Sequence, residues 1–145
     1  MPYGYTGNIL HIDLSSKKHW IENPDENFYR TYWGGRALAL YYMLKEMKPH
    51  TDPLSPDNLL IFATSVITGT PAPAIPRYTV CAKSPLTGAQ GEAEAGGWWG
   101  PEMKKAGFDA IVIKGSSPTP VYLYIKDGKV EIKDATHLWG KDTGI

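Results

Sequence analysis

The chain has 145 residues, a length for one domain that buries roughly 70% of the surface its unfolded form exposes. Apolar residues make up 42%, and Lys+Arg and Asp+Glu balance at 15 each, so no charge field draws the chain to nucleic acid or to an anionic membrane. The single cysteine, Cys81, excludes an intrachain disulfide and falls short of the thiolates an iron–sulfur cluster needs, and no apolar run is long enough to cross a bilayer.

The opening residues 1–6 lack the basic start and apolar stretch of a signal peptide, which with the lone cysteine leads us to expect a cytoplasmic protein. Residues 7–14 place Leu10, Ile12 and Leu14 in strand alternation, Ser15, Ser16 and Lys17 turn the chain, and residues 19–23 return as a second arm. His11 and His19 in that hairpin read as surface residues. A short helix is expected over 26–33, stopped by Gly34 and Gly35. Residues 36–48 form the one substantial helix, with apolar side chains so widely spread that burial on more than one side is expected. A proline-set turn over 52–57 leads to a buried strand over 59–64, and the prolines and threonines of 68–76 suggest an extended ordered loop.

Residues 78–83 read as a strand, 101–106 as a short helix ended by Gly107, and 109–114 as a strand. The run 121–132 is a hairpin about Asp127-Gly128, a type I′ signal that pairs Ile125 with Val130 and Leu123 with Ile132. Strands outnumber helices and several are joined as hairpins, which predicts an α+β fold with mainly antiparallel β-sheets and a few short helices. Residues 139–145 contain no closing element, as at a junction between domains.

The chemistry points to residues 77–107. There a strand opens on Arg77, and a Gly-rich stretch through Gly96-Gly97 feeds a helix. Glycine lets backbone N–H groups approach a ligand, a helix start favours an anion, and a guanidinium offers a planar fork of donors. No strict dinucleotide or Walker pattern accompanies them. Five Trp and nine Tyr fit either a β-rich core or a surface that meets other domains.

Several stretches together resemble the N-terminal domain of the aldehyde ferredoxin oxidoreductase family of tungsten–pterin enzymes, nearly end to end over 1–145. They are Gly7-Asn-Ile-Leu-His-Ile-Asp-Leu14, Gly34-Gly-Arg-Ala37, Asp52-Pro-Leu-Ser-Pro-Asp-Asn58, Thr68-Gly-Thr70, Arg77-Tyr78, Lys83-Ser-Pro-Leu-Thr-Gly88, Gly96-Gly97 and Gly100-Pro-Glu-Met-Lys-Lys-Ala-Gly-Phe-Asp-Ala110. Residues 120–125 and 134–142 continue the likeness. The resemblance implies a base beneath a tungsten (or molybdenum) bis-pyranopterin. Later helical domains would complete the site and hold a [4Fe–4S] cluster, and aldehydes would be oxidised to carboxylic acids with ferredoxin as acceptor. It implies Arg77 between pterin and cluster, and Glu94, Ala95 and Gly96 on the pterin phosphates, with the Glu94 main-chain carbonyl on Mg²⁺. Proton-transfer residues would lie in the other domains, so no catalytic residue is assigned here, and a homo-oligomer is compatible with the pattern.

Two positions depart from the family, which usually has Asn at 94 and Gly at 76. Glu94 brings a carboxylate beside phosphates, and Pro76 removes an N–H before Arg77. Arg36 reads as a cap or partner near a helix start with a lesser claim on the cofactor, and Lys83 as a phosphate contact or a strand-end charge. Trp98 or Trp99 reads as packing, Cys81 as a small buried hydrophobe and His137 as structural, while His50 sits beside a proline turn. Two alternatives stay open: a stand-alone binding or assembly module of the same fold, and the N-terminal domain of an aromatic thioester reductase.

Overall fold

The computed structural model describes residues 4–142 and 144, so the expected open end at 139–145 lies partly outside the described residues. The elements in chain order are β1 (Ile9–Asp13), β2 (Lys18–Glu22), α1 (Glu26–Tyr32), α2 (Gly35–Glu46), β3 (Leu60–Thr64), β4 (Tyr78–Lys83), β5 (Gln90–Ala95), α3 (Trp99–Lys105), β6 (Ala110–Lys114), β7 (Val121–Lys126) and β8 (Lys129–Asp134). Six strands form one sheet in the order β2-β1-β6-β3-β4-β5, and β7 and β8 form a separate hairpin. Only β1 and β6 run parallel, so the mixed α+β, mainly antiparallel expectation holds. Among the described residues no helix is long and apolar enough to cross a membrane.

Alternation along the strands divides the core in two. On one face Ile9, Ile61, Cys81 and Val112 meet Leu38, Ala39 and Tyr42 of α2. On the other, Leu10, Ile12 and Ile111 meet Met103, Phe108 and the inner residues of the β7–β8 hairpin. That hairpin has the predicted register, Ile125 opposite Val130 and Leu123 opposite Ile132, with Asp127 and Gly128 at φ 50° and 77° as a type I′ turn requires. α1 begins where Asp25 accepts from the Phe28 N–H at 2.9 Å.

Three expectations need correction. The stretch before Gly96 is not a loop but the edge strand β5, paired with β4 from Lys83↔Gln90 to Tyr78↔Ala95; pairing overrides a Gly-Glu-Ala-Glu-Ala composition of low strand propensity. Residues 68–76 are not extended but turn back on themselves, with Thr70 N–H donating to Ile67 and Gly69 N–H to the Ile75 carbonyl. His11 is buried, not on the surface, because β1 lies inside the sheet with both faces covered. Its Nε2 lies 2.8 Å from Glu22, and its ring stacks on Trp20 and meets Tyr42 edge-on. The expectation for α2 holds: its wide apolar stripe packs on the sheet through Leu38 and Tyr42 and on Phe28 and Tyr32 of α1 through Tyr41, while Leu44 stays 81% exposed.

Candidate functional site

The end of β3, the turns over 65–77, the start of α2 and the β4–β5 hairpin meet at one edge of the sheet. Ser65 bridges to Gly34 just before α2, and Val66 N–H donates to the Trp33 carbonyl. The Thr68 hydroxyl, 2% exposed as a residue, donates to the Arg77 carbonyl at 2.8 Å. These contacts shape a cleft of about 200 Å³ lined by Gly35, Arg36, Ser65, Thr68, Arg77, Thr79 and Glu94 among others.

The strand register explains its charges. Thr79 pairs with Glu94 and Cys81 with Glu92, so both glutamates stand on the sheet face that carries α2. Arg36, in the first turn of α2, forms an ion pair with Glu92, and this hydrogen-bonded carboxylate pushes the guanidinium still further up from its ordinary range. Arg77 Nη1 lies 3.2 Å from Glu94 Oε2. Each arginine is largely exposed, so both can turn toward an incoming anion. Burial pushes the Cys81 thiol up, keeping it a neutral core side chain beneath the cleft.

Beyond β5 the backbone is open. A Cβ placed on Gly96 would meet only Pro76 Cγ at 3.9 Å, so packing within the chain does not require glycine there. Gly97 has φ 83°, a conformation that glycine adopts without strain. α3 follows. Trp99 packs at a tilt against Tyr78 and Phe62, at 4.4 and 5.2 Å between ring centroids, whereas Trp98 is 82% exposed. A larger groove of about 450 Å³, lined by Leu60, Phe62, Trp99, Met103, Leu123 and Ile125, lacks convergent polar groups and offers packing rather than chemistry.

Residues 9–144 match the family described as aldehyde ferredoxin oxidoreductase, N-terminal domain. The chain belongs to that family. It is 50% identical over 139 residues to the tungsten-containing aldehyde ferredoxin oxidoreductase of Pyrococcus furiosus, covering 96% of this chain and 23% of the relative. Thermococcus kodakarensis has a protein of the same description, also 50% identical over 139 residues, with the same coverage of each chain. The WOR-like subunit of an aliphatic sulfonate oxidoreductase from P. furiosus is 36% identical over 141 residues, covering 95% of this chain and 22% of the relative. Among solved structures, the active-site complex BamBC of benzoyl coenzyme A reductase with 1,5-dienoyl-CoA superposes with a TM-score of 0.93 at 41% identity, over 96% of this chain and 21% of that one. The chain thus spans less than a quarter of the length of the curated relatives it matches.

For this member of the aldehyde ferredoxin oxidoreductase family, the structure brings Arg77 and Glu94 together at one cleft, with Ala95 ending β5 opposite Tyr78 and Gly96 next along the chain. Arg36, read from sequence as a cap or partner with a lesser claim on the cofactor, joins them from far away in the chain through its ion pair with Glu92, and Glu92 was not singled out. Ser65, Thr68 and Thr79 were likewise unmarked as site residues; only the Thr68-Gly-Thr70 resemblance carried a signal. Lys83 is not among the residues lining the cleft, and its ammonium donates to the Thr51 carbonyl at 2.6 Å. Among the described residues no three His, Cys, Asp or Glu side chains converge as a metal site.

Two arginines and an unobstructed glycine backbone are hard, anion-seeking donors, and the two carboxylates beside them suit a divalent cation held against phosphate. The donor set fits the phosphate end of a pterin cofactor.

Proposed function

We propose that this chain is the N-terminal, pterin-binding domain of a tungsten (or molybdenum) oxidoreductase that oxidises aldehydes to carboxylic acids and passes electrons through a [4Fe–4S] cluster to ferredoxin. The observation that carries the reading is the Arg77–Glu94 pair beside the open Gly96-Gly97 backbone, in a chain of this family. The bis-pyranopterin metal centre supplies the two-electron redox chemistry when bound. Arg77 would hold the pterin from the sheet side, with Gly96 letting the backbone come close to a phosphate. Glu94 would offer its main-chain carbonyl, and Ala95 its backbone, beside Mg²⁺ and the phosphates. Arg36 would add a second fixed positive charge at the start of α2.

Domains beyond residues 1–145 would supply the cluster ligands and the proton-transfer groups, since Cys81 is the one cysteine here. The protein would work in the cytoplasm, with ferredoxin as partner and without nucleic acid or membrane. A second reading, reduction of an aromatic thioester, is favoured by the likeness to the benzoyl coenzyme A reductase complex. Full-length protein purified without oxygen decides between them. Aldehyde-dependent reduction of a viologen, with tungsten or molybdenum and pterin bound, supports the first reading. Activity confined to an aromatic thioester supports the second, and protein free of pterin and metal after expression with both supplied would overturn both.

A further inference from the structure

We infer that Thr68 is the positioning residue of the cleft: its buried hydroxyl locks the backbone of Arg77 to the start of α2, and so sets where the guanidinium meets an anion. The inference rests on the cofactor reading above. Thr68 Oγ1 donates to the Arg77 carbonyl at 2.8 Å, and the carbonyl can only accept, so this bond takes the single hydroxyl proton. The 3.2 Å contact with Ser65 Oγ therefore has Ser65 as donor. Ser65 N–H donates to the same Thr68 oxygen at 3.1 Å, and Ile67 N–H donates to Ser65 Oγ at 3.3 Å. A directed chain runs from Ile67 through Ser65 and Thr68 to Arg77, and every polar function of Thr68 Oγ1 is used.

Three parts of the fold meet at this one side chain. Ser65 is bridged to Gly34, which precedes Gly35 and Arg36 of α2. Arg77 opens β4. The Thr68 methyl faces α3, where a Cβ added to Gly100 would lie 3.3 Å from Thr68 Cγ2 and 2.7 Å from the Pro76 carbonyl oxygen. Pro76 fixes φ just ahead of Arg77, so the lock acts on a stiff segment with little slack. Thr68 is only 2% exposed, so it positions the site rather than forming its contact surface.

The test uses the full-length protein, with pterin and tungsten per chain measured beside the melting temperature. Thr68→Val keeps the shape but removes the hydroxyl, leaving the Arg77 carbonyl and Ser65 N–H without that partner. We expect pterin content to fall about fivefold or more. Thr68→Ser keeps the donor and should stay within about twofold of the parent. Val130→Ala, in the distant hairpin, serves as a destabilised control and should keep its pterin at the same loss of melting temperature.

If Thr68→Val keeps full pterin while Arg77→Ala loses it, the inference falls and the cofactor reading stands. If Arg77→Ala also keeps full pterin, both fall. Should Thr68→Val yield no folded protein, Thr68→Cys decides, since its thiol is a weak donor in the same place. Pterin below half that of Thr68→Ser supports the lock, and equal content overturns it.

Discussion

The guanidinium of Arg77 and the carboxylate of Glu94 stand 3.2 Å apart across the β4–β5 hairpin, 17 positions apart in sequence. The pair is largely exposed, with side chains 72% and 43% accessible, so it is worth about 0–1 kcal/mol to the fold. Its meaning is electrostatic: a positive group facing the cleft is held by a negative one that an incoming phosphate would replace or a divalent cation would share.

Glu94→Asn and Glu94→Ala are accordingly expected to leave the melting temperature nearly unchanged. In the full-length protein both should retain pterin and Mg²⁺ if the main-chain carbonyl is the ligand, because the carbonyl survives either change. Loss of Mg²⁺ in Glu94→Ala, with partial retention in Glu94→Asn, would assign the ligand to the carboxylate instead. Metal and pterin analysis of the two variants checks this.

Gly96→Val should separate stability from binding. Nothing within the chain crowds a Cβ at this position, so the fold should tolerate it with little change in denaturant midpoint. The branched side chain would stand where a phosphate must approach, and pterin content should drop about tenfold or more. Full cofactor retention in this variant would show that the loop is not the phosphate site.

The fold was legible wherever alternation and turn chemistry agreed. Val121–Lys126 and Lys129–Asp134 alternate about Asp-Gly, and both signals name one register. β5 was invisible because its Glu-Ala repeat has no β-branched or aromatic residue; it is a strand through its pairing with β4. His11 misled for a related reason, since periodicity shows which residues share a face but not that both faces of β1 are covered. In the site, Arg77 and the glycines were visible as residue types in a local run. Arg36 showed only as a lesser candidate and Thr68 not at all as a site residue, because only the crossing of α2 and the turns over 65–77 brings them to Arg77.

A pH effect should come from Asp13, which caps the β1–β2 turn. Its Oδ1 accepts from the Ser15 and Ser16 N–H groups at 3.0 and 3.2 Å, and the Ser16 bond leads in holding its carboxyl below the ordinary 3.8. A carboxyl depressed on folding stabilises fully above the unfolded value and loses that contribution as pH falls through the lower folded one. The stabilisation should therefore be complete above pH 3.8 and fade below it. Asp13→Asn should show a shallower fall in melting temperature than the parent between about pH 4 and pH 2. Identical slopes would remove Asp13 from the acid response.

The sharpest stability prediction lies under the N-terminal segment, where Lys104 and Asp109 form a pair 3.2 Å apart with side chains 1% and 3% exposed. The two partners are not equal. Asp109 accepts from Thr6 N–H and hydroxyl, from Gly7 N–H and from the Tyr29 hydroxyl, whereas among the described residues Lys104 donates elsewhere only to the Gly4 and Val66 carbonyls. Burial pulls the Lys104 ammonium below its ordinary range against the opposing pull of Asp109, and burial likewise pushes the Tyr29 phenol up. Lys104→Met leaves a carboxylate that still has its other donors, so it should cost about 1–3 kcal/mol. Asp109→Ala strands an ammonium and several buried donors together and should cost about 3–5 kcal/mol. Guanidinium unfolding of the two variants gives the ranking. A larger cost for Lys104→Met would make the ammonium, not the carboxylate, the hub that fastens residues 4–7 to α1 and to the start of β6.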